Sequence, residues 1–125
     1  MDPNEIGSAV VESALAVHTA LGPGLLESAY EVCLAHELGK RGRKVERQVA
    51  LPINYDGVRL DAGYRIDLLV SGAVIVELKS VDRLAPIHVA QLLSYLKLSR
   101  LNLGYLLNFN VVHMRHGIKR VVNRL

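Results

Sequence analysis

The chain has 125 residues, half of them hydrophobic, and a net charge of +3. That is enough chain for one modest core and too much apolar content for disorder, so a single domain over residues 1–125 is expected, with only a weak bias toward polyanionic partners. No apolar run spans a membrane, the start MDPNEIGSAVV lacks a signal peptide's basic and apolar regions, and Cys33 is alone, which together predict a cytoplasmic protein with no membrane partner.

Asp2, Pro3 and Glu5 read as N-cap, N1 and N3 of a helix. Ile6, Val10, Ala14, Val17 and Leu21 carry it at helical spacing to about Leu21, where Gly22-Pro23-Gly24 stops it. A second helix is expected from about Leu25 to Gly39, with Leu26, Tyr30, Cys33 and Leu34 along one side. Lys40-Arg41-Gly42-Arg43-Lys44 reads as a solvated basic loop. The period then becomes two: Val45, Arg47, Val49, Leu51, Ile53 and Tyr55 alternate with mostly polar residues, as in a strand with one exposed face, and Pro52 marks an edge or a bulge. Asp56-Gly57 signals a hairpin, and a strand returns from about Val58 to Val70. After Ser71-Gly72 a third strand runs to about Ser80. Pro86 opens a helix with Ile87, Ala90, Leu93, Leu96 and Leu98, which ends before Gly104. Tyr105 to Phe109 reads as a buried strand, and Val111 to Val122 as a further hairpin around His116-Gly117. The order ααβββαβ(β) predicts an α/β domain with a mixed central sheet.

The stretch RIDLLVSGAVIVELK, Arg65 to Lys79, places Asp67, Glu77 and Lys79 in otherwise apolar strands. A two-residue turn at Ser71-Gly72 would put Asp67 and Glu77 on opposite faces. A three-residue turn, Ser71-Gly72-Ala73, opposes Val70 to Val74, Leu69 to Ile75, Leu68 to Val76 and Ile66 to Leu78, so that every apolar residue meets an apolar one. It also opposes Asp67 to Glu77 and Arg65 to Lys79, and is the register expected here. Two facing carboxylates repel, so a cation should lie between them. Either an ordinary cluster of ion pairs with Arg65 and Lys79 or a divalent ion such as Mg²⁺ or Mn²⁺ meets that need.

Two further stretches carry paired polar residues. In GLLESAY, residues 24 to 30, Glu27 and Tyr30 stand one turn apart, and Glu27 also suits the helix dipole. In QLLSY, residues 91 to 95, Gln91 and Tyr95 share a helix face, which reads equally as a polar edge. The five histidines show no HxxxH or HxH spacing, and one Phe with no Trp offers no evident base-stacking platform, so base specificity is not expected.

Taken together, Asp67 with Glu77-Leu78-Lys79 resembles the D…(D/E)-x-K signature of the PD-(D/E)XK nuclease superfamily. GLLESAY is similar to the motif that names its GxxExxY branch, and Gln91 and Tyr95 match a Q-x-x-x-Y element of exonuclease-like members. YLLNFN and HGIKRVVN resemble the end of a GxxExxY protein. Ile66 stands where the signature often has proline, and the spacing from Asp67 to Glu77 is short, as the tight turn requires.

The resemblance implies a restriction-endonuclease-like αβββαβ core and a Mg²⁺- or Mn²⁺-dependent nuclease acting on nucleic acid, DNA favoured over RNA. It implies Glu27, Asp67, Glu77 and the Leu78 carbonyl as metal ligands, Lys79 as the catalytic cation, and Gln91 and Tyr95 as residues that position it, the water or a phosphate. A binding module that retains the fold without catalysis, and a phosphohydrolase acting on nucleotides, are the competing readings. The matched charges of Glu27, Asp67, Glu77 and Lys79 weigh against the first, and an open cleft rather than a deep pocket would weigh against the second. The apolar content, and the spread of Val10, Val11, Ala14, Leu15 and Val17 around helix one, predict self-association as a two-fold dimer.

Overall fold

The computed structural model describes residues 2–124, so Met1 and Leu125, the ends of the expected domain, lie outside the described residues. Helix α1 (Pro3–Leu21) starts as its sequence predicts: Asp2 accepts a hydrogen bond from the Asn4 N–H at 2.9 Å, with Pro3 behind it. Its stripe of Ile6, Ala9, Val10, Ala14 and Val17 is buried. Gly7 lets the helix lie close to the sheet, since a Cβ there would collide with the Tyr105 ring. Helix α2 (Glu27–Lys40) begins two residues later than expected and buries Tyr30, Leu34 and Leu38.

The long alternating segment that follows is not one strand. β1 (Val45–Ala50) lies in the main sheet, and the chain leaves it at Leu51-Pro52 to form a separate two-stranded ribbon, β2 (Ile53–Tyr55) with β3 (Val58–Leu60). Pro52 has no N–H to continue the ladder, and the last pairing before it is Leu51 N–H to the Tyr64 carbonyl at 2.9 Å. The expected return strand, Val58 to Val70, is likewise split, with β4 (Arg65–Val70) re-entering the main sheet.

β5 (Val74–Lys79), helix α3 (Pro86–Ser99) and β6 (Leu103–Asn108) form a crossover that makes β5 and β6 parallel. β6 starts two residues earlier than expected. The tail is not a hairpin of its own: after a 3₁₀ turn at Met114–Gly117, β7 (Ile118–Val122) pairs antiparallel with β6. The sheet order is β1-β4-β5-β6-β7, mixed as expected.

Helices α1 and α2 cover one face of the sheet, where Val10, Leu34 and Leu38 pack with Leu68, Val76, Leu78 and Leu107. Helix α3 covers the other, where Leu92, Tyr95 and Leu96 pack with Ile66, Ile75 and Leu106. β5 and β6 are therefore buried on both sides, which explains their nearly unbroken apolar sequences. Among the described residues no helix is long and apolar enough to cross a membrane.

Candidate active site

The turn between β4 and β5 has the expected register: Val70 pairs with Val74, Leu69 with Ile75 and Leu68 with Val76. Ser71 and Gly72 make the reversal with φ of 53° and 64°. Beyond Leu68 and Val76 the backbone ladder stops, and side chains replace it. The Asp67 N–H donates to Glu77 Oε2 at 2.8 Å, and the Leu78 N–H donates to Asp67 Oδ2 at 2.9 Å. Each carboxylate thus fills the place of a backbone carbonyl across the gap, and the two strands splay apart around the pair. The expected ladder pairings of Ile66 with Leu78, Asp67 with Glu77 and Arg65 with Lys79 are accordingly not formed, and Asp67 meets Glu77 through its backbone N–H instead. Ile66 packs on the α3 side and Leu78 on the α1/α2 side.

The same crossing of faces occurs on the neighbouring strand. Val45 packs on the α1/α2 side and Val49 on the α3 side, with Gln48 between them at φ 52°, a left-handed conformation uncommon for a residue with a side chain. Gln48 is held there by two carboxylates: its Nε2 donates to Glu31 Oε1 at 2.6 Å and to Asp67 Oδ1 at 3.3 Å. Glu31, buried on α2, takes Arg47 Nε and Nη2 on its other oxygen at 3.1 and 3.0 Å. Glu31 and Gln48 were not singled out from sequence. GLLESAYE does contain Glu31, but nothing in its spacing distinguishes it from a surface charge.

Electrostatics sets the two carboxyl groups apart from ordinary ones. Burial, and then the charge of Asp67, push the Glu77 carboxyl up to about 8 from an ordinary 4.5. Burial likewise raises Asp67, against the pull of its hydrogen bonds to Leu78 and Gln48. Lys79 lies two residues beyond Glu77 and therefore on the same strand face. Its charge favours ionisation of both carboxylates, although it forms no direct ion pair among the described residues. A strand residue projects its N–H and C=O the same way, so the Leu78 carbonyl also turns toward the gap. Two buried carboxyl groups that resist being ionised together suit a hard divalent cation, whose binding would displace the proton.

On α3, Gln91 Nε2 donates to the Tyr95 hydroxyl at 3.3 Å, joining the expected pair. Burial raises the Tyr95 phenol, and the charges of Glu77 and then Asp67 add to the effect. Glu27 stands exposed at the first turn of α2. Among the described residues no three His, Cys, Asp or Glu side chains gather closely enough to hold a metal by themselves. Hydrogen bonds thus join Asp67, Glu77 and Leu78 where β4 and β5 part, with Lys79 next along the strand; Gln91 and Tyr95 pair with each other on α3, and Glu27 makes no hydrogen bond to either group among the described residues.

The rest of the GLLESAY motif has a structural task. Tyr30 is fully buried, stacks on Phe109 with ring centroids 4.4 Å apart, donates its hydroxyl hydrogen to the Gly22 carbonyl at 2.6 Å and accepts from the Leu25 N–H at 3.1 Å. Ser80 Oγ then donates to the Leu25 carbonyl at 3.0 Å, tying the entry of α2 to the end of β5. Asn108 holds the chain just beyond: its Nδ2 donates to the Val81 carbonyl at 2.9 Å and its Oδ1 accepts from the Val81 N–H at 3.2 Å.

Neither a curated protein nor a solved structure matches the chain significantly. The family model of the PD-(D/E)XK nuclease superfamily matches residues 4–121, nearly the whole sequence, without singling out the GxxExxY branch. A signature aspartate and glutamate that each accept a backbone N–H across the parting strands, with the signature lysine two residues on and a match that runs from α1 to β7, lead to one conclusion: the chain belongs to the PD-(D/E)XK nuclease superfamily, and its mixed, helix-flanked sheet is a restriction-endonuclease-like fold.

Proposed function

We propose that the protein is a divalent-metal-dependent nuclease of the GxxExxY branch, acting in the cytoplasm and hydrolysing phosphodiester bonds of nucleic acid, DNA favoured over RNA. The observation that carries this reading is the pair of side-chain bonds across the open end of the β4–β5 ladder, Asp67 N–H to the Glu77 carboxylate and Leu78 N–H to the Asp67 carboxylate. That arrangement leaves two under-compensated carboxylates and the Leu78 carbonyl aimed at one gap. Asp67, Glu77 and Leu78 would hold Mg²⁺ or Mn²⁺, which when bound supplies positive charge at the scissile phosphate and acidity to a water. Lys79 adds a compact positive charge that stabilises the negative charge developing on the phosphate. Gln91 and Tyr95 orient that phosphate or the attacking water through hydrogen bonds. Glu27 is the third carboxylate of this reading. Its support is the tie from Ser80, the residue after Lys79, to Leu25 at the entry of α2.

The test combines cleavage with calorimetric metal titration. Wild type with Mg²⁺ or Mn²⁺ should cut at least one of a panel of single- and double-stranded DNA and RNA. Lys79→Ala should keep metal affinity and lose about 10²–10³ in rate, as expected when one preorganised charge is removed. Asp67→Ala should lose both metal and activity. A wild-type protein that binds no divalent ion and cuts nothing on the panel is instead a binding module that has kept the fold.

A further inference from the structure

Beside the carboxylates lies a second feature that the signature residues do not explain. Between the β2–β3 ribbon and α3 is a cleft of about 460 Å³ lined by Ile53, Tyr64, Ile87, His88, Gln91 and Tyr95, with Ser94 and Leu98 completing it. We propose that this cleft receives one unstacked base of a single-stranded nucleic acid whose backbone passes Asp67 and Glu77. The proposal rests on the nuclease reading for the position of that backbone, and adds a substrate class to it.

Four observations support the occupant. Gln91 and Tyr95, the pair that the nuclease reading sets beside the carboxylates, line the cleft as well. The volume lies in the range of small-ligand pockets, large enough for a nucleoside and far too small for a duplex. Tyr64, 43% exposed, lines the cleft and meets the Tyr95 ring edge-on, with centroids 6.3 Å apart. A half-exposed tyrosine ring offers a base a π face. Finally, the cleft has a free donor and a free acceptor at its wall. His88 Nδ1 accepts from the Ala85 N–H at 2.9 Å, which puts the ring proton of the neutral side chain on Nε2. Gln91 spends its amide nitrogen on Tyr95 and keeps its carbonyl oxygen. Base edges present the complementary groups, whereas no lining residue is charged at its tip to hold a phosphate. A paired, stacked base cannot reach such a pocket without leaving its helix. Sequence reading found no stacking platform because Tyr64 and Tyr95 are brought together only by the fold.

The test is fluorescence anisotropy on the full chain with short labelled phosphorothioate strands, which resist cutting, as single-stranded DNA, single-stranded RNA and the matching DNA duplex. One of the single strands should bind more tightly than the duplex. Tyr64→Ala should weaken that binding about 10-fold, the scale of losing one base–aromatic stack, and Tyr64→Phe should retain it. Ile87→Asp, at a position 70% exposed and therefore harmless to folding, should weaken it as well. Equal or tighter duplex binding, or single-strand affinity unmoved by both Tyr64→Ala and Ile87→Asp, overturns the base pocket. The two readings fail separately. A protein that binds single strands through Tyr64 but cuts nothing keeps the pocket and loses the hydrolysis. One that cuts duplex without regard to Tyr64 keeps the hydrolysis and loses the pocket.

Discussion

Glu77 is 5% exposed beside a second carboxylate, and its carboxyl titrates near 8 in the folded protein. In the unfolded chain it would titrate near 4.5. Between those values the folded state holds a proton that the unfolded state has released, so the stability Glu77 contributes is complete below about pH 4.5 and is lost as pH rises through about 8. The metal-free protein should therefore melt at progressively lower temperature across that window, by an amount worth a few kcal/mol in total. Added Mg²⁺ should restore the loss at the alkaline end. Glu77→Gln, which keeps an oxygen for the Asp67 N–H, should flatten the profile relative to wild type. Parallel melts in EDTA and in Mg²⁺ check this, and identical pH profiles for wild type and Glu77→Gln would show that Glu77 is not the group responsible. Asp67, Glu77 and Lys79 were legible because charges in a period-two apolar pattern have few reasons to be there. Gln48 and Glu31 were not. A left-handed glutamine leaves no mark in the sequence, and its bonds to Glu31 and Asp67 join three separate parts of the chain.

The secondary structure divides along the same line between local and tertiary causes. Helix α1, the β4–β5 turn and the α3 crossover follow from caps, turn residues and apolar spacing, all local signals. The break of the long alternating segment into β1 and the β2–β3 ribbon does not, because Pro52 permits an edge, a bulge or an exit, and only the pairing of Leu51 with Tyr64 decides among them. The tail departs from its local pattern for a similar reason: β7 finds its partner in β6, and a local hairpin around His116-Gly117 loses to it. Tyr30 shows a motif residue whose task is to hold a turn. Tyr30→Phe keeps the stack on Phe109 but leaves the Gly22 carbonyl and the Leu25 N–H without their partner. It should lower unfolding free energy by about 1–3 kcal/mol in a denaturant titration, with the m-value unchanged. An unchanged midpoint would mean that water satisfies both groups and that the hydroxyl does not fix the turn.

Two layers of helix around one sheet account for most of the apolar residues that composition left unplaced. Val10, Ala14 and Val17 of α1 go into the core, and Val11 packs against it, so the argument for association from the breadth of that helix narrows to what remains outside. What remains is Leu15, Leu21, Leu25, Leu26 and Val32, each at least 40% exposed on or next to α1 and α2. A groove of about 340 Å³ lies between the two helices, lined by Ala16, Ala20, Leu21, Val32 and Cys33 among others. An apolar groove between two helices is a place where a second copy would gain by docking, and a two-fold pair closes the assembly without leaving a further face to grow from. The base cleft lies on the α3 side of the sheet, so the pairing would leave it accessible to a strand. Light scattering should therefore give twice the 13.7 kDa chain mass for wild type. Val32→Glu, at a position 50% exposed and so without a role in the core, should return the mass to one chain with the melting temperature little changed. A single-chain mass for wild type at high concentration removes the dimer. A dimer unmoved by Val32→Glu moves the contact elsewhere, to the exposed Tyr55, Val58 and Leu60 of the β2–β3 ribbon, where it would stand beside the cleft and bear on substrate entry.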